Sequence, residues 1–144
     1  MHFMGQPSKG LPMNSPNSLT ATAFVAIGGG IGAVLRFHAG RLATAIAGPN
    51  AVFPWGTFAI NVVGSLLMGV LAGWLARSGG GESLRLMLGV GVLGGFTTFS
   101  AFSLETALLV QRGTIGLAAL YAAGSVVAGV TGLFLGLSIM RGVA

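Results

Sequence analysis

Four runs of mostly apolar residues leave this chain few folds other than a helical membrane bundle. They lie at about Ala21–Ala47, Pro54–Ala76, Leu84–Val110 and Ile115–Met140. Each is at least as long as the roughly 20 residues a helix needs to cross a bilayer. The breaks between them are short and polar or glycine-rich: Gly48-Pro49-Asn50, the Arg77–Arg85 loop with its glycine run, and Gln111-Arg112-Gly113. Only 6% of the residues are charged, against about a quarter in a soluble domain. The expected fold class is therefore all-α and integral to the membrane, with four transmembrane helices surrounded by lipid. Residues 21–144 form the one domain, a multi-pass protein of the plasma or inner membrane. Residues 1–20, with Pro7, Pro12 and Pro16, read as a disordered polar tail. They contain no apolar core preceded by basic residues, as a secretory signal would require.

The net charge of +5 comes from seven cations spread singly along the chain. No basic cluster with interleaved aromatics is present, so nucleic acid is excluded as a partner. Cysteine is absent, which removes disulfides, thiolate catalysis and Cys-ligated zinc together. Glu82 and Glu105 are the only carboxylates, and His2 and His38 the only histidines. They form no paired-carboxylate, HExxH, P-loop or nucleophile-elbow pattern. The chain does not read as an enzyme. Gly28-Gly-Gly-Ile-Gly32 lies inside a span and lacks the Lys-Ser/Thr ending of a phosphate loop, so it reads as helix packing.

Gly91 to Glu105 stands apart from the other apolar sequence. Five hydroxyls (Thr97, Thr98, Ser100, Ser103, Thr106) fall within about three helical turns, deep in a spanning segment. Polar groups there are costly unless they are hydrogen-bonded or line a pathway. Gly94-Gly95 just before them is the expected break in the third helix. A broken helix frees carbonyls and amides, which only protein or a water-filled cavity can satisfy. That combination points to an ion site.

Other residues add to it, each with a plainer reading beside the functional one. Thr57 and Asn61 share a face of the second span at i, i+4 spacing; Asn61 serves either as interhelix glue or as a pore group. Tyr121 and Ser125 repeat that spacing in the fourth span. Arg36, inside the first span, either snorkels to the interface or stands at a pore mouth. Phe99 and Phe102 pack against lipid or core, or turn their electropositive ring edges toward a small anion. Cations fall on both sides, Lys9, Arg77, Arg85 and Arg141 against Arg41 and Arg112, with Arg36 inside the first span assigned to neither. The positive-inside rule then gives only a slight preference for cytoplasmic termini. Insertion in both orientations, and an antiparallel homodimer, follow as expectations.

The run Gly-Gly-Phe-Thr-Thr-Phe-Ser-Ala-Phe-Ser-Leu-Glu at 94–105 resembles the signature of the fluoride channel family called Fluc or CrcB. Gly-Gly-Gly-Ile-Gly-Ala-Val-Leu-Arg-Phe at 28–37, Pro-Trp-Gly-Thr-Phe-Ala-Ile-Asn-Val-Val-Gly at 54–64 and Tyr-Ala-Ala-Gly-Ser at 121–125 match it in order. The resemblance implies a dual-topology antiparallel homodimer with two pores, passing fluoride passively out of the cell. It implies a fluoride path along Asn61, Thr57, Thr98, Ser100 and the Phe99–Phe102 pair, with Tyr121, Ser125, Glu105 and Arg36 beside it. It further implies a structural Na+ at the dimer centre, held by backbone carbonyls of Gly94 and Thr97. Two positions depart from the family: Ala101 stands where Thr is common, and Gly129 where the fourth helix often carries another hydroxyl. The alternatives are a small dual-topology multidrug or cation exporter, for which Glu105 is the one available carboxylate, and a non-transporting helical scaffold.

Overall fold

The computed structural model describes residues 16–142, and every described element is helical. Helix α1 (Ser18–Ala47) begins where the Asn17 side chain accepts the backbone N–H of Thr20 at 2.8 Å, satisfying one of the free amides of a first turn. Ser18–Thr20, expected in the tail, therefore form that first turn. The rest of the expected tail, residues 1–15, lies outside the described residues. A turn at Pro49–Asn50 leads to α2 (Trp55–Ser78), which Gly79 closes in the left-handed conformation, φ 61°.

The third span is composite. One turn of α-helix, α3 (Glu82–Leu84), runs into a π-helix over Arg85–Leu93, followed by α4 (Gly94–Phe96). Thr97 (ψ 159°) and Thr98 (φ −151°, ψ 117°) are extended, and α5 (Phe99–Gln111) resumes beyond them. The expected site of interruption needs correcting: Gly94 and Gly95 are helical, and the chain leaves the helix at the two threonines instead. Glycine lowers the resistance to a break, but a break forms where other partners take over the backbone groups. Those partners lie at Thr98. The last helix is α6 (Ile115–Gly142).

All four spans are long and apolar enough to cross a bilayer. Their outer faces carry Ile27, Ile31, Leu42, Val63, Leu67, Val127 and Phe134, all exposed. Such surfaces suit lipid or a partner rather than water. The chain is a multi-pass membrane protein.

Close backbone approach holds the helices together. Helix α2 packs chiefly on α6, and α1 on the π-helix and α4. A side chain at Gly69 would overlap the Leu133 carbonyl, and one at Gly136 the Leu66 carbonyl. Gly28 and Gly32 sit the same way against the carbonyls of Met87 and Val92. The glycine-rich run of the first span is thus a packing surface. The small core at one end joins Leu109, Ala118 and Tyr121, with Phe53, Phe58, Phe102 and Leu117 against it.

Candidate functional site

Asn61 pairs with the Thr98 backbone N–H, which loses its helix acceptor at the break, and adds a second donor to the Thr98 carbonyl. Its Oδ1 accepts the Thr98 N–H at 2.8 Å, and its Nδ2 donates to the Thr98 carbonyl at 3.0 Å. In an unbroken helix that N–H would donate to the Gly94 carbonyl, four residues back. One residue type does both jobs because only an amide carries a donor and an acceptor side by side. Thr98 then caps α5, its hydroxyl accepting the Ala101 N–H at 3.2 Å and lying 3.2 Å from Ser100 Oγ. The Ala101 N–H is thereby drawn off the Thr97 carbonyl, which instead accepts a long bond, 3.3 Å, from Arg36. Gly64 makes room for this turn, since a side chain there would collide with the Thr97 methyl.

A second polar knot ties three helices together. Glu105 on α5 accepts at Oε1 from the Thr57 hydroxyl of α2 (2.7 Å) and at Oε2 from the Tyr121 hydroxyl of α6 (2.6 Å). Tyr121 is completely buried, and Thr57 is the one buried polar residue among those described. Both oxygens of this partly buried carboxylate are thereby engaged.

Two cavities open on these knots. The larger, about 1100 Å³, is a wide mouth lined by Arg36, Arg41, Thr57, Thr98, Ser100 and Glu105 among others. The smaller, about 320 Å³, is lined by Asn61, Ser65, Thr98, Phe99, Phe102 and Ser125, with Gly64, Met68, Thr97, Val126 and Leu133. Thr98 belongs to both. Phe99 and Phe102 lie with ring centres 5.6 Å apart and tilted by 40°, and Phe102 is 5.3 Å from the Tyr121 ring. Phe99 stands 78% exposed on the outside of the subunit. Ser125 Oγ is buried with no hydrogen-bond partner.

The structure sorts the residues singled out from sequence. Arg36, Thr57, Thr98, Ser100 and Glu105 meet at the wide mouth; Asn61, Thr97, Thr98, Phe99, Phe102 and Ser125 meet at the narrow cleft. Tyr121 lines neither and acts through Glu105. Gly94 lines neither and is surface-exposed. Of the five hydroxyls between residues 97 and 106, Thr97, Ser103 and Thr106 donate to the carbonyls of Leu93, Phe99 and Phe102, one turn back. They satisfy their own helix, leaving Thr98 and Ser100 to face the mouth. Ser65, Met68 and Arg41 were not among the expected site residues. Ser65 and Met68 had a readable signal, since 57, 61, 65 and 68 fall on one face of a helix.

A model of the family described as CrcB-like protein, Camphor Resistance (CrcB), matches residues 23–137. The fluoride-specific ion channel FluC of Novosphingobium aromaticivorans is 99% identical over 126 residues, 88% of this chain and all of that protein. FluC 2 of Nitrobacter hamburgensis is 55% identical over 81% of this chain and 94% of its own length. FluC of Caulobacter vibrioides is 53% identical over 81% and 92%. A match spanning all four helices, with the polar knots inside it, settles the kinship: this chain belongs to the CrcB family.

Proposed function

We propose that two copies of this chain, inserted antiparallel, form a fluoride-selective channel that lets fluoride leave the cell down its electrochemical gradient. One observation carries the reading: a narrow cleft at the interrupted third span, flanked by two phenyl rings, ends on a buried serine hydroxyl with no partner in the protein. A buried donor left unpaired calls for an explanation, and a bound ion supplies one. The relatives' names, fluoride-specific ion channels, give the ion.

The chemistry suits an anion that holds its water tightly. Asn61 spends one N–H on Thr98 and keeps a second for an anion. Ser125 offers its hydroxyl, and Phe99 and Phe102 offer positive ring edges. Arg36 and Arg41 line the mouth, where positive charge concentrates anions. No bond is made or broken and no ATP is used. The exposed Phe99 ring supports the homodimer, because a second subunit would supply the opposite wall and cover an aromatic side chain beside a polar cleft.

The interruption also fits a structural Na+ at the dimer centre. Gly94 and Thr97, the two carbonyls that the resemblance implies, are among those that lose their helix donors at the break, to Asn61 Oδ1 and Thr98 Oγ1. Freed carbonyls are oxygen ligands for a hard cation. Arg36 uses one lone pair of the Thr97 oxygen, and a carbonyl has two. The sodium would fix the interruption and add positive charge near the anion path.

The exporter reading has no such support: the relatives are named fluoride-specific ion channels, and Glu105 serves as a tie between Thr57 and Tyr121. Fluoride efflux from proteoliposomes, with a potassium shunt, tests the channel. The wild type should empty them, and Phe102→Ile should slow this at least tenfold. A wild type that retains fluoride would leave only the scaffold reading.

A further inference from the structure

Ser65 lies one turn beyond Asn61 on α2 and lines the narrow cleft together with Asn61, Phe99, Phe102 and Ser125. Across from it on α6 is Gly129, one turn beyond Ser125. A side-chain carbon at Gly129 would lie 3.4 Å from Ser65 Oγ. A side chain on α6 at that position would therefore rest against the serine hydroxyl. The polar side of α2 thus continues from Thr57 and Asn61 to Ser65, while that of α6 stops at Ser125 and turns to bare backbone.

Resting on the channel reading above, we infer that Ser65 is an anion-contacting hydroxyl of the conduction path, supplied from α2 where α6 has none. An ion leaving Asn61 and Ser125 meets next either this hydroxyl or an apolar wall of Met68, Val126 and Leu133. A dehydrated anion against apolar side chains is costly, and one hydroxyl donor to a charged acceptor recovers much of that cost. The geometry also makes the role transferable. A hydroxyl placed at position 129 would enter the cleft from the facing helix, next to the site of the one removed.

The test is fluoride efflux from proteoliposomes by four proteins: wild type, Ser65→Ala, Gly129→Ser, and the double variant carrying both substitutions. Ser65→Ala should slow efflux about tenfold, the scale of one charge-assisted hydrogen bond. The double variant should recover most of the wild-type rate, an outcome that a packing role for Ser65 does not produce. If the alanine variant does not elute like the wild type in detergent, Ser65→Cys replaces it. That change keeps the volume and removes the strong donor, with the same slowing expected. Wild-type rates in the Ser65 variants would overturn the inference, and so would slowing that Gly129→Ser fails to relieve. Both outcomes leave the channel reading intact. A wild type that passes no fluoride sinks the channel reading, and the inference with it.

Discussion

Asn61 and Glu105 solve the same problem in two ways. Each sits in a spanning segment, and each has its polar atoms met by groups from another helix. Asn61→Ala leaves the Thr98 N–H unpaired, at about 1–3 kcal/mol, and leaves its C=O with only the first bond of α5. The variant should unfold at lower temperature in detergent and should also lose conduction. Asn61→Asp accepts the Thr98 N–H but gives no donor to its carbonyl and no N–H to an anion. It should keep more of the stability than the alanine variant and little of the flux. Tyr121→Phe removes one of the two bonds to Glu105, at a cost of about 1–3 kcal/mol. Combined with Thr57→Val it should be non-additive, because both changes act on one carboxylate. Thermal unfolding of the two single variants and the double variant measures that coupling directly.

At the scale of the helices, the third span depends on its neighbours. Its interruption sits against Gly64, where any side chain meets the Thr97 methyl. Gly64→Ala should cost about 1–3 kcal/mol by overpacking and should slow efflux, because the displaced threonine drags Thr98 from Asn61. Gly116→Ala, with open space around the added carbon, is the matched control and should leave both unchanged. This element also shows what the sequence discloses and what it withholds. The four spans were legible from hydropathy, and Thr57 and Asn61 from their i, i+4 spacing. The place of the interruption was not. Gly94-Gly95 is the weakest local point, yet the break forms at Thr97–Thr98 because a side chain far away in sequence pairs with the backbone there. Ser103 and Thr106 looked like pathway hydroxyls and turn back on their own helix. Only rotamers separate those two uses of a hydroxyl, and rotamers are set by packing. The pairing of Gly129 with Ser65 was hidden for a related reason, since the two face each other from different helices.

For the whole molecule, burial is uneven in a telling way. The polar knots are partly buried between helices, while Phe99 and much of α1 face outward with large apolar side chains, Phe37 and Leu42 among them. Lipid accommodates most of that surface, whereas a ring bordering the ion cleft is better matched by a second subunit. So slight a charge imbalance between the two sides sets only a weak preference of orientation, which is compatible with the antiparallel pair proposed above. In the proposed channel the wide mouth with Arg36 and Arg41 attracts anions of any kind, so selection falls to the smaller cleft, where Asn61, Ser125 and ring edges would replace the ion's water. The most direct test is a paired efflux measurement on one batch of reconstituted wild-type protein, with vesicles loaded with equal fluoride and chloride and a potassium shunt supplied. Fluoride should leave within the first minutes while chloride stays inside. Equal loss of both ions, or retention of fluoride, would contradict the account.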